Sequence, residues 1–237
     1  MSKTIRLKTA TSEKNTHPGY FNIAFSVDCV IFCYEQKQLK VLTAESDLAE
    51  YAGMDSLLGD LVGPDEDLDA ASHRVLSERT GIRNLYLEQV HTFGRVDRHP
   101  AGRVISTAYY SLVNIKDRAL RLHTESLRWQ PVNQLQQMAF DHREILDKCL
   151  ASLRDQINER PVVFDLLPAR FALRELQEVY EAILDTTLDR RNFRKKMTLT
   201  GWLTDLGEME EDVPHRPGKL YRVSDRVIRL RRVVTNP

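Results

Sequence analysis

Apolar positions recur along this chain with two periods, and the changes of period mark its elements. From Phe21 onward, Ile23-Ala24-Phe25-Ser26-Val27-Asp28-Cys29-Val30-Ile31-Phe32-Cys33 is long, β-branched and mostly apolar, the pattern of a central strand buried on both faces. Gln36-Lys37-Gln38 predicts a turn, and Leu39-Lys40-Val41-Leu42 returns as a hairpin partner. Residues 43–66 are rich in Gly and Asp, show little periodicity and read as loop. Residues 67–80 have helical spacing, with Leu68, Ala71, Val75 and Leu76 on one face and Gly81 where a left-handed residue ends the helix. Strands are predicted at 85–90 and 104–113 around a polar loop at 94–103, and a short edge element at 129–132. A helix over 141–154 follows, apolar at Ile145, Leu146, Cys149, Leu150 and Leu153. Residues 171–184 form the most clearly amphipathic stretch, with Leu173, Leu176, Val179, Tyr180, Ile183 and Leu184 on one stripe. A turn at 185–188 leads into a helix at 189–197, and 202–206 and 220–223 read as two strands of a hairpin.

Composition changes this picture little. The chain has 237 residues, 42% apolar and 29% charged, enough for a real core in one large or two small domains. Asn158-Glu159-Arg160-Pro161 is the best boundary. It divides the chain into a polar leader (1–19), a first domain (20–158) and a second (161–237). Net charge is zero but uneven: residues 1–160 carry 20 Lys/Arg against 22 Asp/Glu, and residues 161–237 carry 14 against 12. Cys29, Cys33 and Cys149 are odd in number and lack metal-ligand spacing, which predicts buried thiols in a reducing cytoplasm and no bound metal or cofactor. No run approaches a membrane span, and no signal-peptide core precedes the first strand.

The informative chemistry is in two places. Asp189-Arg190-Arg191-Asn192-Phe193-Arg194-Lys195-Lys196-Met197 holds five cations in nine residues, yet Phe193 and Met197 share one helical face. Such a helix buries a narrow stripe and presents the rest to a polyanion, with Asp189 as N-cap. A solvated basic helix is the commoner meaning of a charge run. Here, however, a helix and tight turn precede it, and a hairpin follows with basic residues His215, Arg216 and Lys219 around Pro217-Gly218. That order is a winged helix-turn-helix for double-stranded DNA. Arg190, Arg191, Asn192 and Arg194 are the candidate base readers, Lys195 and Lys196 the phosphate contacts, and His215, Arg216 and Lys219 the wing. RNA is the weaker reading, because Phe193 and Tyr221 sit at core spacing rather than on a stacking surface.

The second place is Gly59–Ile82, GDLVGPDEDLDAASHRVLSERTGI, which resembles the Nudix box. Gly81, Glu78, Leu76, Arg74 and Glu66 match its pattern. Val75 and Arg79 replace two of its glutamates, and Asp60 stands at the initial glycine position with Gly59 one residue off. Nudix hydrolysis gathers carboxylates to hold Mg²⁺ against a pyrophosphate. Valine supplies no oxygen and a cation at 79 repels metal, so the expectation is a Nudix fold with no hydrolase activity. Glu66 and Arg74 then remain as an ion pair that shapes the loop.

From about Tyr20 to Val223 the chain resembles the Nudix-related transcriptional regulators, most clearly in VDCVIF, HTFGRVDRHPAGRVIS and DRRNFRKK. The resemblance implies an N-terminal Nudix-like α/β/α sandwich with a mixed sheet, a C-terminal winged helix-turn-helix, and a bacterial homodimer on a palindromic operator. Effector binding in the Nudix domain would release DNA. The family senses ADP-ribose-type nucleotides or sugars such as arabinose, and the missing metal carboxylates tilt the expectation towards a sugar. Asp28, Arg95, Asp97 and Ser106 are the candidate effector residues. Asp28 is also readable as a satisfied core carboxylate, and Arg95 with Asp97 as a surface ion pair. The alternatives are an active Nudix pyrophosphohydrolase on ADP-ribose with an accessory DNA-binding domain, or a ligand-binding protein acting through protein partners.

Overall fold

The computed structural model describes residues 23–83, 85–115, 127–214 and 216–229. The leader expected at 1–19 lies outside them.

The first sheet contains β1 (Ala24–Glu35), β2 (Gln38–Glu45), β3 (Asp55–Ser56), β4 (Leu58–Leu61), β5 (Glu88–Phe93), β6 (Val104–Val113) and β7 (Leu127–Pro131). Its path is β3-β2-β1-β6-β5, with β4 added on β1 and β7 on β2. β1 runs parallel to β6 from Ala24 opposite Val104 to Cys33 opposite Val113, and antiparallel to β2 and β4 on its other side. A strand paired on both edges has both faces covered, which is why its apolar run is nearly continuous. Val27, Cys29, Ile31 and Cys33 pack with Ala71, Val75 and Leu76 of helix α1 (Leu68–Thr80). The alternate residues Val30 and Phe32 pack with Ile145, Leu146, Cys149 and Leu153 of helix α2 (His142–Gln156). The result is the expected helix–sheet–helix sandwich. All three cysteines are free and buried, and burial pushes the Cys33 and Cys149 thiols up to about 12.

The C-terminal part holds β8 (Phe171–Ala172), α3 (Leu173–Leu184), α4 (Arg190–Leu199), β9 (Leu203–Met209) and β10 (Lys219–Val223), with sheet order β8-β10-β9. Helix α3 is anchored at its start by Glu175, whose carboxylate accepts from the Ala172 N–H at 2.8 Å. It buries Leu176, Val179, Tyr180 and Ile183. At about 1.5–3 kcal/mol each, four such side chains contribute on the order of 6–12 kcal/mol before ordering entropy.

The stretch expected to divide the chain is a turn followed by a 3-10 segment, Pro161–Leu166, that buries Val163, Phe164 and Leu166. The core does not break there. One cluster joins Phe32, Tyr110 and Leu153 to Phe164, Tyr180, Phe193, Met197 and Tyr221. Two hydrogen bonds cross the same seam: the Tyr180 hydroxyl donates to the Ile157 carbonyl at 2.7 Å, and Arg154 Nε to the Ile183 carbonyl at 2.7 Å.

Some sequence readings need correction. Residues 43–66 are not all loop: β2 extends to Glu45, and β3 and β4 follow. Their pairing comes from β2 and β1, and local periodicity carries no trace of it. The strand placed at 85–90 is Glu88–Phe93, and the strand placed at 202–206 runs on to Met209.

Candidate functional site

Helix α1 starts at Asp67, whose carboxylate accepts from the Ala70 N–H at 2.7 Å. It ends at Gly81, where φ is 72°. Arg74 folds back over the preceding loop. Its Nη2 holds Glu66 Oε1 at 2.7 Å and its Nε holds Oε2 at 3.0 Å, while Nη1 reaches Asp60 at 3.1 Å and Glu78 at 3.4 Å. Nη2 also donates to the Leu61 carbonyl at 2.8 Å, and Glu66 accepts from the Gly63 N–H at 2.7 Å. The Arg74 guanidinium and the Gly63 amide hold the Glu66 carboxyl down at about 2. Three acids of the box, Asp60, Glu66 and Glu78, converge on one guanidinium. Val75 is 1% exposed and packs in the core, and Arg79 is exposed. Mg²⁺ requires hard oxygen ligands in near-octahedral geometry, and this donor set does not fit it. Among the described residues no group of three or more His, Cys, Asp or Glu side chains could hold a metal ion. A cavity of about 420 Å³ opens beside this loop, with Ile23, Phe25, Leu61, Gly63, Glu66 and Leu68 in its lining.

The displaced glycine of the box has a physical reason. A Cβ on Gly59 would lie 2.3 Å from Asp28 Oδ1 and 2.9 Å from the Val27 carbonyl oxygen. Asp28, 4% exposed, sits in a closed polar network behind it. Ser106 Oγ donates to its Oδ2 at 2.5 Å, and Arg98 Nη2 lies 3.4 Å from the same oxygen. Arg98 forks onto Asp141 at 2.7 and 2.9 Å. His142 Nδ1 accepts from the Leu57 N–H at 2.9 Å, which puts its proton on Nε2, 3.5 Å from Asp28 Oδ1. Burial holds the pKa of His142 below its ordinary value. The structure thus brings together two of the four candidate effector residues, Asp28 and Ser106, as partners of each other. Arg95 and Asp97 stay on the surface, 3.8 Å apart. The cation that balances Asp28 is Arg98, three residues beyond the one singled out in sequence. A buried carboxylate demands such a partner, and that demand was the one available signal. It gave no means of choosing between two arginines of one loop.

In the C-terminal part, α3 side chains fix the turn. Glu181 accepts from the Leu188 N–H and from Gln177 Nε2, both at 2.9 Å, and Gln177 also donates to the Leu188 carbonyl at 2.9 Å. Asp189 then caps α4, accepting from the Asn192 N–H at 2.8 Å. Phe193 and Met197 are buried, and Phe193 meets Tyr180 edge-on at 5.2 Å. This anchoring leaves Arg190, Arg191, Asn192, Arg194, Lys195 and Lys196 exposed. Arg190, Arg191, Arg194 and Lys195 form no ion pair among the described residues, whereas Lys196 Nζ turns back to Asn158 Oδ1 at 2.8 Å. Lys219 in the wing is not free either: its Nζ lies 2.9 Å from Asp205. The base of the wing is pinned by Glu210, which accepts from the Gly218 N–H at 2.9 Å and from Arg174 at 2.8 Å. Arg216 is exposed, and His215 lies outside the described residues.

Residues 24–149 match the NUDIX domain family, and residues 163–223 match the NrtR DNA-binding winged helix domain. The "ADPR responsive transcriptional repressor NtrR" of Acinetobacter baylyi is 33% identical over 218 residues, 90% of this chain and 86% of that protein. Shewanella oneidensis NrtR in complex with a 27mer DNA has a TM-score of 0.75 at 28% identity, covering 84% of this chain and 93% of that one. The NUDIX domain of that protein complexed with ADP ribose has a TM-score of 0.51 at 27% identity, covering 60% of this chain and 94% of that one.

Proposed function

Because the chain belongs to the Nudix-domain transcriptional repressors that carry the NrtR winged helix, we propose that it represses transcription by binding an operator through α4 and the wing. An ADP-ribose-type nucleotide in the Nudix domain releases it. In this reading the domain is a sensor and has lost hydrolysis. The observation that carries it is the convergence of Glu66, Asp60 and Glu78 on Arg74, with Val75 in the core. The acids are tied to a guanidinium that also holds the loop through the Leu61 carbonyl. Relatives named for ADP-ribose support a nucleotide over the sugar that the missing glutamates had favoured. We assign the effector to the cavity beside the box, whose roughly 420 Å³ falls in the range of small-molecule sites.

The direct test is a thermal-shift screen of ADP-ribose against arabinose and other pentoses, since a ligand that binds only the folded state raises its melting temperature. ADP-ribose is expected to raise it and to release the protein from a duplex taken from upstream of its own gene. A shift with arabinose and none with ADP-ribose would refute the assignment. Phe25, 49% exposed in the cavity wall, supplies the local control: Phe25→Asp should reduce the ADP-ribose shift and leave DNA affinity unchanged.

A further inference from the structure

The burial of α4 fixes the direction in which each of its cations points. Phe193 and Met197, 6% and 1% exposed, face the core, and Phe193 stands edge-on to Tyr180 of α3. At about 100° per residue, Lys195 lies opposite the middle of that buried stripe. Arg191 and Leu199, one turn before and after, fall within about 40° of the same outward pole. The protein covers none of this ridge: Arg191 and Lys195 are exposed, and Leu199 is 76% exposed. Arg194 and Lys196 lie about 80° from the buried stripe on opposite flanks, and Arg190 only about 40° from it. Two contacts verify the flanks. Lys196 Nζ turns to Asn158 Oδ1 at 2.8 Å, just past the end of α2. Arg194 lies on the hairpin side, where its charge acts on Asp205 and Lys219.

A helix about 10–12 Å across fills a major groove about 12 Å wide. Seated with its buried stripe towards its own domain, it puts the outward pole on the floor of base edges and its flanks against the phosphate walls. We propose that Lys195, together with Arg191, reads guanine in the operator, and that Arg194 grips backbone phosphate on the wing side. These roles are the reverse of those that spacing along the run suggests for Arg194 and Lys195, and they rest on the DNA-binding reading above. Lysine and arginine both donate to guanine O6 and N7, and α4 carries no acid that could accept from cytosine. Phosphate contacts such as that of Arg194 add affinity and register without sequence preference.

The test uses the full chain on two labelled duplexes of equal length, one selected by the wild type from a randomised pool and the other a scrambled version of it. Both side chains are exposed, and unchanged melting curves verify that the variants fold. Lys195→Ala should cut the preference between the duplexes about 5- to 150-fold, the loss of one good base contact, and Lys195→Arg should restore it. Arg194→Ala should weaken both duplexes alike, flatten the log–log salt dependence by about 0.9 and leave the preference in place. The opposite pattern, with Arg194→Ala erasing the preference and Lys195→Ala weakening both duplexes alike, overturns these roles alone. So does an unchanged preference in Lys195→Ala. A wild type that selects no duplex, or binds neither at low salt, overturns the DNA-binding reading beneath them as well.

Discussion

Arg98→Met tests the reading of the buried network most sharply. Arg98, Asp28 and Asp141 have side chains only 3%, 5% and 3% exposed. The substitution keeps the aliphatic bulk and removes both forked bonds to Asp141 and the 3.4 Å contact to Asp28. Two carboxylates then remain buried with no cation among them, the situation that costs about 3–5 kcal/mol when one partner of a buried ion pair is deleted. Against a total stability of about 5–15 kcal/mol, that is at least about a fifth of what holds the fold together. In urea the midpoint should fall by about 1–3 M. Arg95→Met, on the same loop but 63% exposed, should change stability by less than about 0.5 kcal/mol. If Arg98→Met is too unstable to isolate, adding Asp141→Asn removes one unpaired charge and should recover part of the loss. A midpoint for Arg98→Met within experimental error of Arg95→Met, or no recovery from Asp141→Asn, refutes the claim that the network is a closed electrostatic unit.

Three further outcomes follow from the same geometry. Gly59→Ala puts a methyl 2.3 Å from Asp28 Oδ1 and should cost about 1–3 kcal/mol by chemical denaturation, the usual range for overpacking. Phe193→Ala, which empties the edge-on contact with Tyr180, should cost about 3–5 kcal/mol and reduce DNA affinity through the folded fraction, with no change in sequence preference. His142 is held neutral by burial, its folded pKa below the ordinary 6.5. Below pH 6.5 the unfolded chain therefore takes up a proton that the folded chain refuses, and stability falls as pH falls. His142→Asn should flatten that slope in melting curves between pH 7 and 5.5.

What could be read in the sequence is what local spacing carries. Strand β1 is legible because pairing on both edges forces apolar residues onto both faces. Helix α4 is legible because Phe193 and Met197 interrupt a basic run at helical spacing, with a capping aspartate in front. Strands β3 and β4 are not, because they are two and four residues long and exist through their partners on β2 and β1. Arg98 and Arg95 sit in one polar loop, and only the fold shows which of them reaches Asp28. The contacts of Lys196 with Asn158 and of Lys219 with Asp205, 38 and 14 positions away, are likewise absent from sequence spacing.

The seam between the two halves is packed rather than open, and helix α2 explains why. Its N-terminal residues enter the charged network: Asp141, just before its first turn, takes both forks of Arg98, and His142 faces Asp28. Its middle supplies Ile145, Leu146, Cys149 and Leu153 to a core that continues into Tyr180, Phe193 and Met197. Just past its end, the Ile157 carbonyl accepts from Tyr180, and Asn158 accepts from Lys196 on α4. A rigid element of about 22 Å, at 1.5 Å per residue over fifteen residues, therefore has one end among the buried charges of the Nudix domain and the other against α4. Shared burial of this kind makes the halves one cooperative unit, because exposing the α3 face also uncovers the α2 face beneath it. A single unfolding transition, coincident by near-UV circular dichroism and by fluorescence of Trp129 and Trp202, is the expected behaviour. Two separated transitions would mean that the continuous core is not what couples the halves.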